Sequence, residues 1–181
     1  MEIDTKGEVV RREKAPISKS LQIDSETWYL LMHEYLSGLF RNHQKNQQAK
    51  NTELEVFANV IGRNIVEICT DDKIAKYRLT KDIVNFIGID IWNLLFMKRV
   101  TNIISKDDEV YLLMDNNFHF MKRIPPDDEK AREYVSFCTV FVARLLKSML
   151  RTFLIETEIL AETPDYVEYN FTIKIKPQPA A

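Results

Sequence analysis

Glycine is scarce in this chain of 181 residues, with 4 in all, and cysteine is scarcer, with 2. So little glycine leaves no loop able to cradle a phosphate, and no Walker A, GxGxxG, GxSxG or zincin motif occurs. Cys69 and Cys138 are too few and too far apart for a disulfide framework, and both fall in helical patterns, so a reduced, cytosolic setting is the simpler reading. The three histidines, His33, His43 and His119, stand in three different elements without metal-ligand spacing. Neither charge dominates. With 25 basic and 27 acidic residues interspersed, the net charge is -2, and the basic surplus of a dedicated nucleic-acid binder is missing. The longest apolar runs, such as Val140 to Ala143, fall far short of the roughly 20 residues of a membrane-spanning helix. The opening MEIDTKGEVVRREK has no apolar core, and Glu2 stands where N-myristoylation needs glycine, so neither a secretory leader nor that lipid anchor is expected.

What is present is the composition of an ordinary globular protein, 45% hydrophobic and 29% charged. Residues 1–20 are charged and aperiodic and read as a flexible tail; 21–176 read as one domain, and 177–181 as a short C-terminal tail. Asp24 or Ser25 can cap a first helix whose apolar arc centres on Trp28, Met32, Tyr35 and Leu39, with Leu31, Leu36 and Phe40 at its flanks. That arc covers about half the circumference, wider than the stripe of about 100° that one core requires. The amide-rich stretch from Asn42 to Asn51 reads as a connector, and Thr52 with Glu55 as a capping box opening a second helix. In that helix Leu54, Phe57, Ile61, Ile65 and Ile68 recur at helical spacing, and Gly62 marks either a close crossing or a tolerated surface glycine.

A third, almost wholly apolar helix begins at Leu79 or Thr80 and is centred on Trp92. Val110 to Met114 then reads as a strand apolar on both faces, turning on Asp115-Asn116 into a return strand from Phe118 to Met121. Pro125-Pro126 breaks the chain, and Asp127-Asp128 precede a fourth helix from Glu129 to about Arg151. Phe153 to Leu160 is rich in strand formers, and Val167, Tyr169, Phe171, Ile173 and Ile175 alternate with polar residues as a strand with one dry face should. The order ααα-ββ-α-ββ predicts an α+β domain: a four-stranded antiparallel sheet with helices packed on one face.

Asp82, Ile83, Phe86, Ile87, Asp90, Trp92, Phe96, Lys98, Asn102, Tyr111, Leu113, Asp115, Asn116 and Phe118 carry a resemblance to the small-subunit family of the transport protein particle, TRAPP, a vesicle-tethering complex, and within it to the subunit-six branch. The resemblance extends over nearly all of the chain after Thr27. It implies an α+β fold whose members pair through their first two helices, and hence a related TRAPP small subunit as heterodimer partner, with further TRAPP subunits beyond it. Exchange of guanine nucleotide on Rab-type GTPases would then belong to the assembled complex. The implied location is cytoplasmic, peripheral at the Golgi and endoplasmic reticulum. The partner-facing candidates are Trp28, Met32, Tyr35, Leu39, Phe57 and Ile61; the core candidates are Trp92, Phe96, Phe118 and Phe141. No catalytic residue, metal or cofactor is expected.

Two departures bear on lipid attachment. The family's fourth helix commonly carries a Cys-Gly pair, then a basic residue and a second glycine; FCTVFVARLLKSM here has Ala143, Arg144, Lys147 and Ser148 in those places. Where a relative is acylated on a cysteine, this chain has Lys76-Tyr77-Arg78. Cys69 itself reads as either an acylation site or a small buried hydrophobe. An acyl-binding domain of the same fold and a homodimeric adaptor are the alternatives to the scaffold reading.

Overall fold

In a computed structural model of the chain the residues described are 25–42, 46–71, 74–107, 109–122, 124, 128–164 and 167–177. The tail expected over 1–20, the Pro125-Pro126 break, His43, Asp72 and most of 177–181 lie outside them. Helix α1 runs Ser25–Asn42 and α2 Gln47–Thr70. The cap of α2 is Asn46, whose side-chain oxygen accepts the Ala49 N–H at 2.9 Å. The amide-rich stretch is therefore largely helix and not connector. Thr52, expected as a cap, lies a turn inside and donates its hydroxyl to the Gln48 carbonyl at 3.0 Å.

A single 3-10 turn, Ile74–Lys76, leads to α3, Thr80–Phe86. The same rod passes through a π turn, Ile87–Ile91, into α4, Trp92–Phe96, and stops at Met97 with φ 62°. Strands β1, Asn102–Lys106, and β2, Val110–Asn116, follow. Helix α5 spans Glu129–Thr152, its first turn capped by the Asp128 carboxylate accepting the Ala131 N–H at 2.7 Å. Strands β3, Thr157–Glu162, and β4, Glu168–Ile175, complete an antiparallel sheet of order β1-β2-β4-β3.

The four-stranded α+β architecture is as predicted, but the first hairpin is shifted along the chain. Asp115-Asn116 is not its turn: both residues are in β2, opposite Tyr169 and Glu168 of β4. The hairpin turns instead between Lys106 and Val110, where Asp107 takes φ 55°, and β1 supplies the other strand. Phe118 to Met121 forms no strand. Asn117 at φ 62° swings the chain into tight turns, closed by the Met121 N–H on the Phe118 carbonyl at 3.0 Å.

The sheet's inner face consists of Tyr111 and Leu113 of β2 and Tyr169, Phe171 and Ile173 of β4, all buried. Against it Trp92 stacks on Phe118 at 5.3 Å and meets Phe171 edge-on at 5.6 Å, with Phe96 at 4.6 Å. Trp92, Phe96, Phe118 and Phe141 are all buried. Helix α5 packs along β3 on one side and crosses α2 on the other. At that crossing Gly62 is buried, and a Cβ built on it would come within 2.6 Å of the Ser148 Cβ. Of the two readings of Gly62, the close crossing is therefore the correct one.

Candidate partner interface

Helix α1 resolves into three faces. Met32, Leu36 and Leu39, spaced i, i+4, i+7, are buried in this chain's own core. On one side of them His33 and Phe40 reach the α5 and β2–α5 regions: His33 Nε2 lies 2.7 Å from the Phe120 carbonyl and Nδ1 3.2 Å from the Tyr134 hydroxyl, and Phe40 packs on Tyr134 and Phe137. The third face carries Leu31 and Tyr35, exposed at 59% and 38%.

Helix α2 is phased differently from the sequence expectation. Its most buried line is Lys50, Leu54, Ala58, Gly62, Val66 and Thr70, a strict i+4 series in which small residues admit α5. Phe57, Ile61 and Ile65 are half-buried beside it, while Ile68, counted in the apolar stripe, is exposed, as are Val56 and Val60. The buried lysine has an apolar stem and an aromatic bed, its ammonium lying 4.7 Å from the centre of Phe40 and 5.5 Å from that of Phe137. The C-terminal turn of α1 is tied to α2 and α5 in this way.

The exposed faces of the two helices meet. Tyr35 stacks on Phe57 with ring centres 3.9 Å apart, and its hydroxyl donates to Glu53 at 3.3 Å. Burial and the neighbouring Glu53 charge both push the Tyr35 phenol upward, so it stays a neutral donor at physiological pH. The two helices that meet there also expose Leu31 on α1 and Val56 and Val60 on α2. Phe57 carries the contact inward to Phe141 of α5 at 5.6 Å. Trp28 is half-buried, and its indole nitrogen is buried without a partner among the described residues.

The six partner-facing candidates are thus divided. Tyr35, Phe57, Ile61 and Trp28 are at least partly accessible, whereas Met32 and Leu39 are covered by the chain itself. Val56 and Val60 are exposed and were not singled out from the sequence, because valines outside the main apolar period look like ordinary surface residues.

Among the described residues no group of His, Cys, Asp and Glu could hold a metal, and no helix is long and apolar enough to cross a membrane. Cys138 is buried in α5, and burial raises its thiol to about 12. Cys69 is half-buried near the end of α2; burial, then the Asp90 charge, raise it to about 11. Neither supplies much thiolate near neutral pH. Nearby, Tyr77 packs its ring on Phe86 at 4.5 Å and on Phe153 at 5.5 Å.

An antiparallel four-stranded sheet backed by a long α5, with α1 and α2 meeting at the Tyr35–Phe57 stack, defines an α+β protein. A solved structure with this fold is the trafficking protein particle complex subunit 3 of Naegleria fowleri, described as covalently bound to palmitic acid; it superposes with a TM-score of 0.68 at 15% identity, covering 88% of this chain and 99% of that one. The chain belongs to the Transport protein particle (TRAPP) component family, whose model matches residues 28–176. Trafficking protein particle complex subunit 6B of Homo sapiens and that of Bos taurus are each 25% identical to it over 155 residues, 83% of this chain and 97% of theirs.

Proposed function

We propose that the chain is a non-catalytic scaffold subunit of a TRAPP-type vesicle-tethering complex and that it pairs with a related small subunit through α1 and α2. Residues 21–176 act as one folding unit in this reading, flanked by tails. The observation that carries it is the Tyr35–Phe57 stack joining two helices that also expose Leu31, Val56 and Val60. Scattered single apolar residues are normal on a surface, but a patch joined across two helices by an aromatic stack marks a site of association. Aromatic and large aliphatic residues of this kind usually hold most of the binding energy in an interface.

In this reading the subunit contributes position, not chemistry. Nucleotide exchange on a Rab-type GTPase belongs to the assembled complex, which works in endoplasmic-reticulum-to-Golgi and Golgi transport, and the subunit reaches those membranes from the cytoplasm as a peripheral component of it.

Co-expression with a related TRAPP small subunit, followed by native mass measurement, tests the pairing. A one-to-one heterodimer is expected, with no acceleration of nucleotide release when the chain alone is mixed with Rab-type GTPases. Separate elution of the two chains would refute the pairing; release driven by the lone chain would refute the scaffold role.

A further inference from the structure

The sheet ends in an open strand. In the order β1-β2-β4-β3, β3 has a neighbour on one side only among the described residues. Its ladder phase is fixed at the Thr157 end of the pairing. The Lys176 N–H bonds the Glu156 carbonyl at 2.8 Å, while the next residue back, Ile175, turns its N–H the other way to Glu109 at 2.8 Å. Bonded positions alternate along an antiparallel pair, so Glu158, Leu160 and Glu162 face β4 with their backbone groups, and Thr157, Ile159 and Ala161 turn theirs outward. Natural edges are commonly blunted by proline or lysine. Thr157–Glu162 contains neither, and its charged residues are Glu158 and Glu162.

Beside this edge α5 forms the wall of a groove of about 410 Å³. Val140, Ala143, Arg144 and Lys147 line it from the helix, β3 from the sheet, and Lys176 from the end of β4. Val140 and Leu160 are exposed apolar residues within it. Thr157, only 1% exposed, places on its wall a hydroxyl without a hydrogen-bond partner among the described residues. Three cations, Arg144, Lys147 and Lys176, and two carboxylates, Glu55 and Glu158, line it. Arg144 is paired with Glu55 at 3.5 Å, but Glu156 has Arg151 at 3.1 Å and is further influenced by both Lys147 and Lys176. Those cations hold the Glu156 carboxyl below its ordinary value, first through the Arg151 hydrogen bond. The lining thus carries one positive charge in excess, with Lys147 and Lys176 both near its Glu156 end.

We infer that this groove docks an extended acidic segment of a protein partner, which adds to the sheet as a further strand beside β3, its carboxylates set against Arg144, Lys147 and Lys176. Backbone pairing supplies the affinity in such strand addition, and side-chain pockets the selectivity. Six residues of strand at about 3.3 Å each offer roughly 20 Å of edge, enough for a segment of similar length. This surface is carried by α5 and β3 and does not depend on the pairing proposed for α1 and α2.

The probe is a fluorescein-labelled octapeptide of alternating Glu and Val, titrated against the full chain by fluorescence anisotropy, beside a Lys-Val control. Saturable binding of the acidic peptide alone is expected, with the Thr157, Ile159 and Ala161 amides gaining protection from hydrogen exchange. Ala161→Pro removes one outward N–H at a place where an edge strand tolerates proline, and should weaken binding about tenfold. Lys147→Glu with Lys176→Glu should do the same through charge alone, and it serves if the proline variant does not fold. Equal binding of the two peptides, unchanged binding by the charge-reversed variant, or protection confined to amides away from β3 would each overturn the inference. So would amide protection that needs no peptide and rises with protein concentration, which would assign the edge to a second copy of the chain.

Discussion

The indole N–H of Trp92 donates to the Asp115 carboxylate across 2.8 Å, bridging residues 23 apart in sequence and fastening α4 to β2. Lys98 pairs with the same carboxylate and also with the Asn116 carbonyl at 2.6 Å. Trp92→Ala removes both the bond and a fully buried ring, so a loss of about 3–5 kcal/mol is expected, read as a large fall in the urea midpoint. A midpoint within error of wild type would contradict the core role of this residue.

Asp115 gives a pH signature. Burial raises its carboxyl above the ordinary value of 3.8, outweighing the lowering by Lys98 and Trp92. A raised acid holds its proton in the native state after the unfolded chain has released it. Its stabilising contribution is therefore complete below 3.8 and is lost as pH climbs through the native value. The unfolding free energy of wild type minus that of Asp115→Asn should decline with rising pH across that window and then level off. An increase over the same window would mean that the ion pair with Lys98, and not burial, governs the group.

The exposed face of α1 and α2 separates association from folding. Leu31→Asp combined with Val60→Asp should abolish capture of a related TRAPP small subunit while shifting stability by about 0.5 kcal/mol or less per site. Leu39→Asp should instead unfold the monomer, since that side chain is 4% exposed. Circular dichroism beside a pull-down distinguishes the two outcomes, and undiminished capture by the Leu31/Val60 double variant would remove this face from the interface.

Gly62 and Ser148 should be coupled. Gly62→Ala gains about 1 kcal/mol of helix propensity but presses a methyl group against Ser148, whose hydroxyl donates to the Asn59 carbonyl at 3.0 Å. A net loss of stability is expected, relieved when Ser148→Gly is added. A double-mutant cycle with no coupling would show that the crossing relaxes freely.

Protein expressed in a eukaryotic host should carry no hydroxylamine-sensitive fatty acid by intact mass. Cys69 is held largely as the neutral thiol, and the Tyr77 ring lies against Phe86 and Phe153 in the segment where a relative is acylated. A mass increment of one acyl chain, lost on treatment, would revive the lipid-binding alternative.

The α+β architecture and α5 were legible because β4 alternates and α5 carries a broad apolar stripe at helical spacing. β1 was not, since Asn102-Ile-Ile-Ser-Lys lies at an edge with only Ile103 half-buried and offers little alternation to read. Phe118 and Phe120 mimic a strand by spacing two aromatics two apart, yet their burial comes from ring packing around Trp92, Phe96 and Phe141. On the partner face, the apolar arc of α1 mixed residues directed inward with residues directed outward. A heptad count cannot separate Met32 and Leu39 from Leu31 and Tyr35 without knowing where the second layer of helices lies.

The π turn at Ile87–Ile91 holds one residue more than an α turn would over the same rise. Were the same residues wound as a regular α-helix instead, everything beyond them would rotate by the extra residue's share of a turn, about 100°. Trp92 would then swing away from Asp115, and Lys98 with it. The extra residue taken up in this one turn keeps the side bearing Trp92 toward the sheet, so this short segment sets the register between two layers that share no ladder.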